Sequence, residues 1–153
     1  MIEHAWTVLC KKAIVDPQTG NITLVETVEQ INATGAAPDF PALAPMEMEL
    51  VSLWYRTDIE VAVRGQGRIA LIGPDGHVVG DPQTLQLDLT TFVRARTIAK
   101  LPGLPVTGAG VYRFQVELSV DGQEEWRIVA RVPVQFTVQD NRAIAAAPNH
   151  AVQ

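Results

Sequence analysis

The side chains best able to act as a nucleophile, a base or a metal ligand are few in this sequence and lie far apart. There is one cysteine, Cys10, and the three histidines are His4, His77 and His150. Structural zinc sites use closely spaced sets of cysteine and histidine, which this arrangement does not supply. Cys10 shares one side of a predicted strand with Trp6 and Val8, which favours a small buried residue over a reactive thiol. A hydrolase would need the fold to bring a histidine beside Cys10 or a serine, and the sequence predicts no catalytic residue.

Carboxylates are the commonest charged groups, and three of them flank predicted turns. These are Asp75, Asp81 and Asp88. Because calcium prefers oxygen ligands, these side chains would form a calcium site if the fold gathered them at one end of a sandwich. An aspartate next to glycine or proline more often serves the turn itself. We therefore predict no metal site and no cofactor, and keep the three aspartates as the candidates for an ion.

Two Gly-x-Gly segments, Gly65-Gln66-Gly67 and Gly108-Ala109-Gly110, are the nearest approach to a phosphate-binding loop. Neither has the third glycine or the following helix that a nucleotide site requires. We predict that these glycines belong to turns between strands.

Four residues at alternate positions of one predicted strand combine positive charge with apolar bulk: Phe92, Arg94, Arg96 and Ile98. Alternate residues of a strand share a face, and arginine and aromatic residues are enriched at protein interfaces. The alternative is a solvated face that carries a few ordinary exposed hydrophobic residues. Ile144, near the C-terminus, is the other candidate contact residue.

Apolar residues elsewhere recur with a period of two, which is typical of strands with one buried face. In the segment from Val111 to Val120 the apolar side chains alternate with polar ones, and Asp121-Gly122 follows as a hairpin turn. The alternation then continues through Ile128 to Val138, with Pro133 predicted to face outward at a strand edge or bulge. The adjacent Trp54 and Tyr55 must face opposite ways, so one ring is predicted in the core and the other outside it.

About eight such strands and no amphipathic helix predict an antiparallel, immunoglobulin-like β-sandwich of seven to nine strands. The proline-rich segment 32–45 is expected to connect the two sheets. The alternation dissolves after Val138. We therefore divide the chain into a sandwich domain, residues 1–138, and an alanine-rich C-terminal tail, residues 139–153.

The overall composition excludes several classes of protein. The chain has 153 residues and a formal net charge of −5, so it lacks the positive charge with which proteins bind nucleic acid. No apolar run reaches the roughly 18 residues of a membrane helix, and no basic segment followed by an apolar one begins the sequence. We expect a soluble cytoplasmic protein with no nucleic acid or membrane partner.

Three segments together carry a resemblance: Asn21-Ile22-Thr23-Leu24-Val25-Glu26, Ile69-Ala70-Leu71-Ile72-Gly73-Pro74-Asp75-Gly76 and Gly110-Val111-Tyr112-Arg113-Phe114. Their order resembles a family of uncharacterised bacterial proteins that consist of a single β-sandwich domain. The resemblance covers roughly Ile2 to Val138. It implies the fold, and it brings no catalytic residue and no activity.

From these features we predict a non-enzymatic protein-interaction or structural module whose partner is a protein, either a second copy or another chain. Exposed strand edges are natural association sites, which favours this interpretation. The alternative function is a sandwich that binds a small ligand or calcium through its loop aspartates.

Overall fold

The protein is a β-sandwich in the computed structural model, which describes residues 1–34, 39–121 and 123–139. The described residues contain no helix and eleven strands. The strands are β1 (Ile2–Val15), β2 (Ile22–Thr27), β3 (Gln30–Thr34), β4 (Ala42–Ala44), β5 (Met48–Arg56), β6 (Val63–Ile72), β7 (Val78–Leu89), β8 (Arg94–Leu101), β9 (Leu104–Val106), β10 (Gly110–Val120) and β11 (Arg127–Gln139). The all-β prediction is therefore confirmed, with more strands than the seven to nine expected.

Two large sheets form the layers of the sandwich. The four-stranded sheet has the order β2-β1-β5-β8, and the five-stranded sheet has the order β3-β11-β10-β6-β7. A third, two-stranded sheet pairs β4 with β9. The short strands β3, β4 and β9 lack a long alternating pattern, so the sequence analysis did not separate them. One pair departs from the antiparallel prediction, since β3 runs parallel to β11.

The core lies between the two large sheets and is built from large apolar side chains of both. Trp54, Tyr112 and Phe136 are its largest fully buried members. Trp54 is 0% exposed and the neighbouring Tyr55 is 37% exposed, so the prediction that the two rings separate is confirmed.

The antiparallel pairing of β10 with β11 is also confirmed, although Gly122 of the predicted turn lies outside the described residues. A register shift opposite Val116 and Glu117 inserts one residue into β11. Ile128, predicted to point inward, is therefore 41% exposed, because a bulge reverses the alternation. Pro133 is exposed opposite Arg113, just before β3 begins to pair at Gln135, which is the edge position expected for a residue without an N–H.

Gly65 and Gly67 lie inside strand β6, so the prediction that they are turn glycines is wrong. A Cβ at Gly65 would lie 2.7 Å from the carbonyl oxygen of Ser119, and one at Gly67 would lie 3.5 Å from the Trp54 indole. These glycines leave room for the neighbouring strand and for the tryptophan of the opposite sheet.

Tyr112 ties the start of β10 to the preceding loop. Its hydroxyl accepts hydrogen bonds from the backbone N–H groups of Thr107 and Gly108 and donates one to the Gly108 carbonyl. The tyrosine corner of immunoglobulin-like sandwiches makes contacts of this kind. The immunoglobulin-like assignment itself stays a prediction.

The predicted division of the chain at residue 138 also stays a prediction. Residues 140–153, which include Ile144 and His150, lie outside the described residues. The segment 32–45 contains the end of β3 and all of β4, and it leads from the five-stranded sheet to the four-stranded one.

Candidate functional site

Four of the five predicted interface residues, Phe92, Arg94, Arg96 and Ile98, lie on one surface of the sandwich. The fifth, Ile144, lies outside the described residues. We call this surface the outer face, meaning the side of the four-stranded sheet that points away from the five-stranded sheet. Strand pairing aligns β5 with β8, so that Tyr55 lies opposite Arg94, Leu53 opposite Arg96, and Val51 opposite Ile98. Because Trp54 points into the core, its neighbours Leu53 and Tyr55 point outward.

Strand β1 extends this face with further apolar side chains. Trp6 pairs with Leu53, Val8 with Val51, and Cys10 with Glu49. Two rows therefore cross the sheet, one running from Trp6 through Leu53 to Arg96 and one from Val8 through Val51 to Ile98.

The tip of the hairpin between β1 and β2 lies over part of the outer face. The Glu49 carboxylate accepts a hydrogen bond of 2.6 Å from the backbone N–H of Ala13. At the far side, Arg96 Nη2 donates to the carbonyl of Gly20 at 3.3 Å. This cover is consistent with the complete burial of Val51 and Cys10, which lie on the outer side of the sheet.

The hairpin tip has a well-defined conformation. The Asp16 side chain accepts hydrogen bonds from the backbone N–H groups of Gln18 and Thr19 at 2.8 and 3.2 Å. Gly20 donates its N–H to the Asp16 carbonyl at 2.8 Å. Its φ of 71° is in the left-handed region that glycine adopts without strain. The tip therefore presents the Gly20 carbonyl to Arg96 from a fixed position.

A cleft of about 430 Å³ opens between the hairpin tip and the outer face. One wall is formed by residues 19–21 of the tip, and the other by Leu53 and by residues 92–96. Phe92 stands at this cleft with 71% of its surface exposed. The cleft therefore combines an exposed aromatic ring with the guanidinium groups of Arg94 and Arg96.

These two arginines have no carboxylate partner among the described residues. The ion pairs found there join Lys11 to Glu26, Arg64 to Asp88, Arg68 to Glu117 and His77 to Asp75. Arg96 is partly buried, and its Nε has no hydrogen-bond acceptor in the described part of the chain. The cleft thus holds positive charge that nothing described in the chain neutralises.

Cys10 is fully buried, as predicted. Burial, together with the nearby Glu49 carboxylate, raises the pKa of its thiol, which keeps the thiol protonated and unreactive. Cys10 lies on the outer side of β1, whereas His4 packs edge-on against Trp54 in the interior at 5.2 Å between ring centres. The two side chains are on opposite sides of the sheet and do not form a nucleophile–base pair.

His4 instead begins a chain of buried hydrogen bonds. Its Nε2 lies 2.6 Å from the Thr7 hydroxyl, which lies 2.7 Å from the Ser52 hydroxyl. Ser52 is 2% exposed, so a substrate cannot reach it. Burial lowers the pKa of His4 below its usual 6.5, so the ring stays neutral near pH 7. The chain joins β1 to β5 and satisfies polar groups beside the core.

The three candidate aspartates are spread along the chain and do not converge. Asp75 is in the turn before β7, Asp81 is within β7, and Asp88 is near its far end. At about 3.3 Å per residue, a strand segment of seven residues separates Asp81 from Asp88 by roughly 23 Å. Hydrogen bonds from His77 and from Thr90 lower the pKa of Asp75 and Asp88 respectively. The described residues contain no cluster of three or more potential metal ligands.

Sequence reasoning found β8 but missed the two other parts of the cleft. Leu53 carries a recognisable signal, because it is adjacent to the buried Trp54 in a strand and must therefore point outward. The hairpin tip carries no such signal, since Gly20 and Arg96 are 76 residues apart and meet only in the folded chain.

A family of unknown function, DUF6941, matches residues 5–133. The chain belongs to this family. The match covers most of the sandwich, including the cleft, and confirms the predicted membership of an uncharacterised domain family. No curated protein matches the chain in sequence.

Two solved structures are distantly similar. The first is a family 123 glycoside hydrolase from Clostridium perfringens that acts in glycolipid glycan hydrolysis. It is 10% identical with a TM-score of 0.40, and the match covers 73% of this chain and 23% of the hydrolase chain. The second is the N-terminal domain of PorA, which is 12% identical with a TM-score of 0.29 and coverages of 88% and 98%. The chain thus spans less than a quarter of the hydrolase, and neither likeness bears on function.

In the described part of the chain, no helix is long and apolar enough to cross a membrane. The bacterial origin and the cytoplasmic location stay predictions.

Proposed function

We propose that this protein is a non-enzymatic interaction domain that binds a protein partner through the outer face of its four-stranded sheet. The observation that carries the proposal is the cleft beneath the hairpin tip, where the exposed Phe92 lies beside Arg94 and Arg96. An exposed aromatic ring next to arginines is the composition that protein interfaces favour.

Neighbouring side chains extend this surface beyond the cleft. Tyr55, which lies opposite Arg94, is 37% exposed, and Val93, next to Phe92 in the chain, is 39% exposed. Ile98, further along β8 on the same face, is 36% exposed. Contiguous apolar groups with a charged rim are typical of docking sites. The hydrogen-bonded chain of His4, Thr7 and Ser52 ends at a serine that is 2% exposed and offers no comparable access for a substrate.

A comparison of two double variants tests the proposal. Phe92→Ser with Ile98→Ser removes apolar surface from the outer face. Val111→Ser with Ile128→Ser is the matched control, because these residues are 40% and 41% exposed on strands β10 and β11 of the other sheet. Each variant, tagged, would be expressed in the native host and purified with its bound proteins.

We expect one protein to be retained by the wild type and the control and lost by the outer-face variant. It would be identified by mass spectrometry, purified and shown to bind the wild type directly by calorimetry. A partner that is retained by the outer-face variant and lost by the control would contradict the proposal. Light scattering on the purified protein reports whether a second copy is the partner.

A further inference from the structure

We infer that the cleft beneath the hairpin tip binds a carboxylate side chain of the partner, so that the partner presents an acidic segment to this protein. This inference rests on the proposed docking face and specifies the chemistry that the face recognises. Its argument depends on the two arginines, on their apolar neighbours and on the charge of the whole chain.

Arg96 already makes one hydrogen bond across the cleft before any partner binds. Its Nη2 donates to the carbonyl of Gly20, which the hairpin turn holds in place. A guanidinium group has five N–H donors, and among the described residues this one bond is the only one that Arg96 makes. A cation that is already positioned loses little rotamer freedom on binding, which favours recognition of an anion.

Arg94 lies two residues along the same strand and therefore on the same face. It is exposed, lines the same cleft, and has no carboxylate partner within the described ranges. Planar guanidinium groups match the geometry of a carboxylate with paired hydrogen bonds. Arg94 and Arg96 together form one positively charged site for such a group.

The surroundings of the two arginines favour a polypeptide over a nucleic acid. Leu53 lines the cleft and Phe92 stands beside it, so a ligand that fills the site needs apolar groups next to its negative charge. The net charge of −5 repels an extended polyanion such as a nucleic acid, whose negative charge continues far beyond the cleft, more strongly than it repels a short acidic segment. An acidic segment that contains apolar side chains satisfies both conditions.

The charges of Arg94 and Arg96 also favour a different protein over a second copy of this chain as the partner. A two-fold symmetric contact whose axis passes through the cleft would bring the Arg94 and Arg96 pair of one copy against the same pair of its mate. Like charges facing each other in an interface are costly. The outer face therefore fits an acidic segment of a different protein better than a second copy of this chain.

A titration followed by nuclear magnetic resonance tests the inference. The probe is terminally blocked hexaglutamate, with terminally blocked hexaglutamine as the uncharged control and inorganic phosphate as the simple anion. We expect hexaglutamate to produce saturable shifts in the Nε–H signals of Arg94 and Arg96 and in the amides of residues 19–21. We expect no such shifts from hexaglutamine.

Single substitutions assign the effect to the cleft. Arg94→Gln and Arg96→Gln should each weaken hexaglutamate binding about tenfold, the usual effect of losing a hydrogen bond to a charged group. Arg131→Gln should leave the binding unchanged, since Arg131 is an exposed arginine of the five-stranded sheet. Arg94 is exposed, so its variant is expected to fold, and the amide spectrum of each variant verifies its fold.

Three results would overturn the inference. In the first, hexaglutamine produces the same shifts as hexaglutamate. In the second, hexaglutamate shifts the signals of Arg131 as much as those of Arg96. In the third, inorganic phosphate binds as strongly as hexaglutamate. The docking face is tested separately by the serine variants. A partner lost with Phe92 and Ile98 but bound equally by the Arg94→Gln and Arg96→Gln variants would leave the docking face intact and contradict only the carboxylate site.

Discussion

The two sheets of the sandwich each carry a half-buried arginine on their outward side, and the two differ in what surrounds them. On the five-stranded sheet, Arg68 lies 2.5 Å from the Glu117 carboxylate and stacks over the Trp126 ring at 4.2 Å. On the four-stranded sheet, Arg96 has only the Gly20 carbonyl among the described residues. Arg68 is neutralised within the fold, and Arg96 is held in a cleft with its charge unopposed.

Strand register explains the difference. Arg68 lies directly opposite Glu117 on the neighbouring strand, so the pairing of β6 with β10 creates the ion pair. Arg96 lies opposite Leu53 and Arg94 opposite Tyr55, so the pairing of β5 with β8 places an uncharged side chain, and not a carboxylate, beside each arginine. Cross-strand pairs of opposite charge stabilise a sheet. Because the fold places no carboxylate opposite Arg94 and Arg96, their guanidinium groups remain available to an external anion.

The largest effect is expected from reversing the charge of the cleft. Arg94→Glu combined with Arg96→Glu should weaken binding of the partner at least about a hundredfold, since each arginine loses a charge-assisted hydrogen bond and repels the carboxylate. Arg113→Glu combined with Arg131→Glu is the control, because both residues are exposed on the five-stranded sheet. Calorimetry with the purified partner measures the affinity of both double variants. An equal loss of affinity in the two would contradict the claim that the partner binds the four-stranded and not the five-stranded sheet.

The comparison of Arg68 with Arg96 predicts that their substitution changes stability by different amounts. Arg68→Gln should lower the free energy of unfolding by about 1–2 kcal/mol, because Glu117 is left partly buried without its partner. Arg96→Gln should change it by less than about 0.5 kcal/mol, since no ion pair is broken. Urea denaturation measures the free energy of unfolding of both variants. A larger loss of stability in Arg96→Gln than in Arg68→Gln would contradict the view that Arg68, and not Arg96, is neutralised within the fold.

Gly20→Ala tests the role of the hairpin tip. At a φ of 71° alanine is strained, which should cost about 1 kcal/mol of stability and displace the carbonyl that holds Arg96. Gly76→Ala is the matched control, because its φ is 85° and it too has open space around it. The two variants should lose similar stability by thermal unfolding, and only Gly20→Ala should weaken hexaglutamate binding. Unchanged binding in Gly20→Ala would show that the tip does not position Arg96.

The smallest effect is expected from His4, which lies on the inner side of the same sheet. Because burial lowers its pKa in the folded state, the unfolded chain binds more protons as the pH falls through 6.5. The stability that this group contributes is therefore present above pH 6.5 and decreases below it. The urea midpoint of the wild type should fall from pH 7.5 to pH 5.5, and His4→Gln should reduce that fall. A urea midpoint that varies with pH in the same way in His4→Gln and in the wild type would contradict the proposed effect of His4 burial on stability.

Period-two alternation was sufficient to predict the sandwich and the outward position of Arg94, Arg96 and Ile98, because alternation is a local property of a strand. Phe92, which was predicted to belong to the same strand, precedes β8. It failed where the backbone departs from regular geometry. The bulge in β11 exposed Ile128, which the pattern placed inside.

The cleft itself depends on contacts between distant parts of the chain. The hairpin tip reaches Arg96 across 76 residues. In the core, away from the cleft, Gly67 of β6 accommodates Trp54 from the opposite sheet in the same way. Neither contact leaves a pattern in the neighbouring sequence. The sequence therefore indicated which side chains share a face and left unspecified what would lie over them.

Site-specific photo-crosslinking tests the central claim, that the outer face of the four-stranded sheet is the docking surface, most directly. A photoreactive phenylalanine analogue would replace Phe92 in one protein and Ile128 in another, and both would be irradiated in the native host. Both positions are exposed, one at the cleft and one on the other sheet. The proposal predicts a discrete adduct from position 92 that disappears when Arg94 and Arg96 are reversed to glutamate, and none from position 128. An adduct that forms from position 128 and not from position 92 would contradict it.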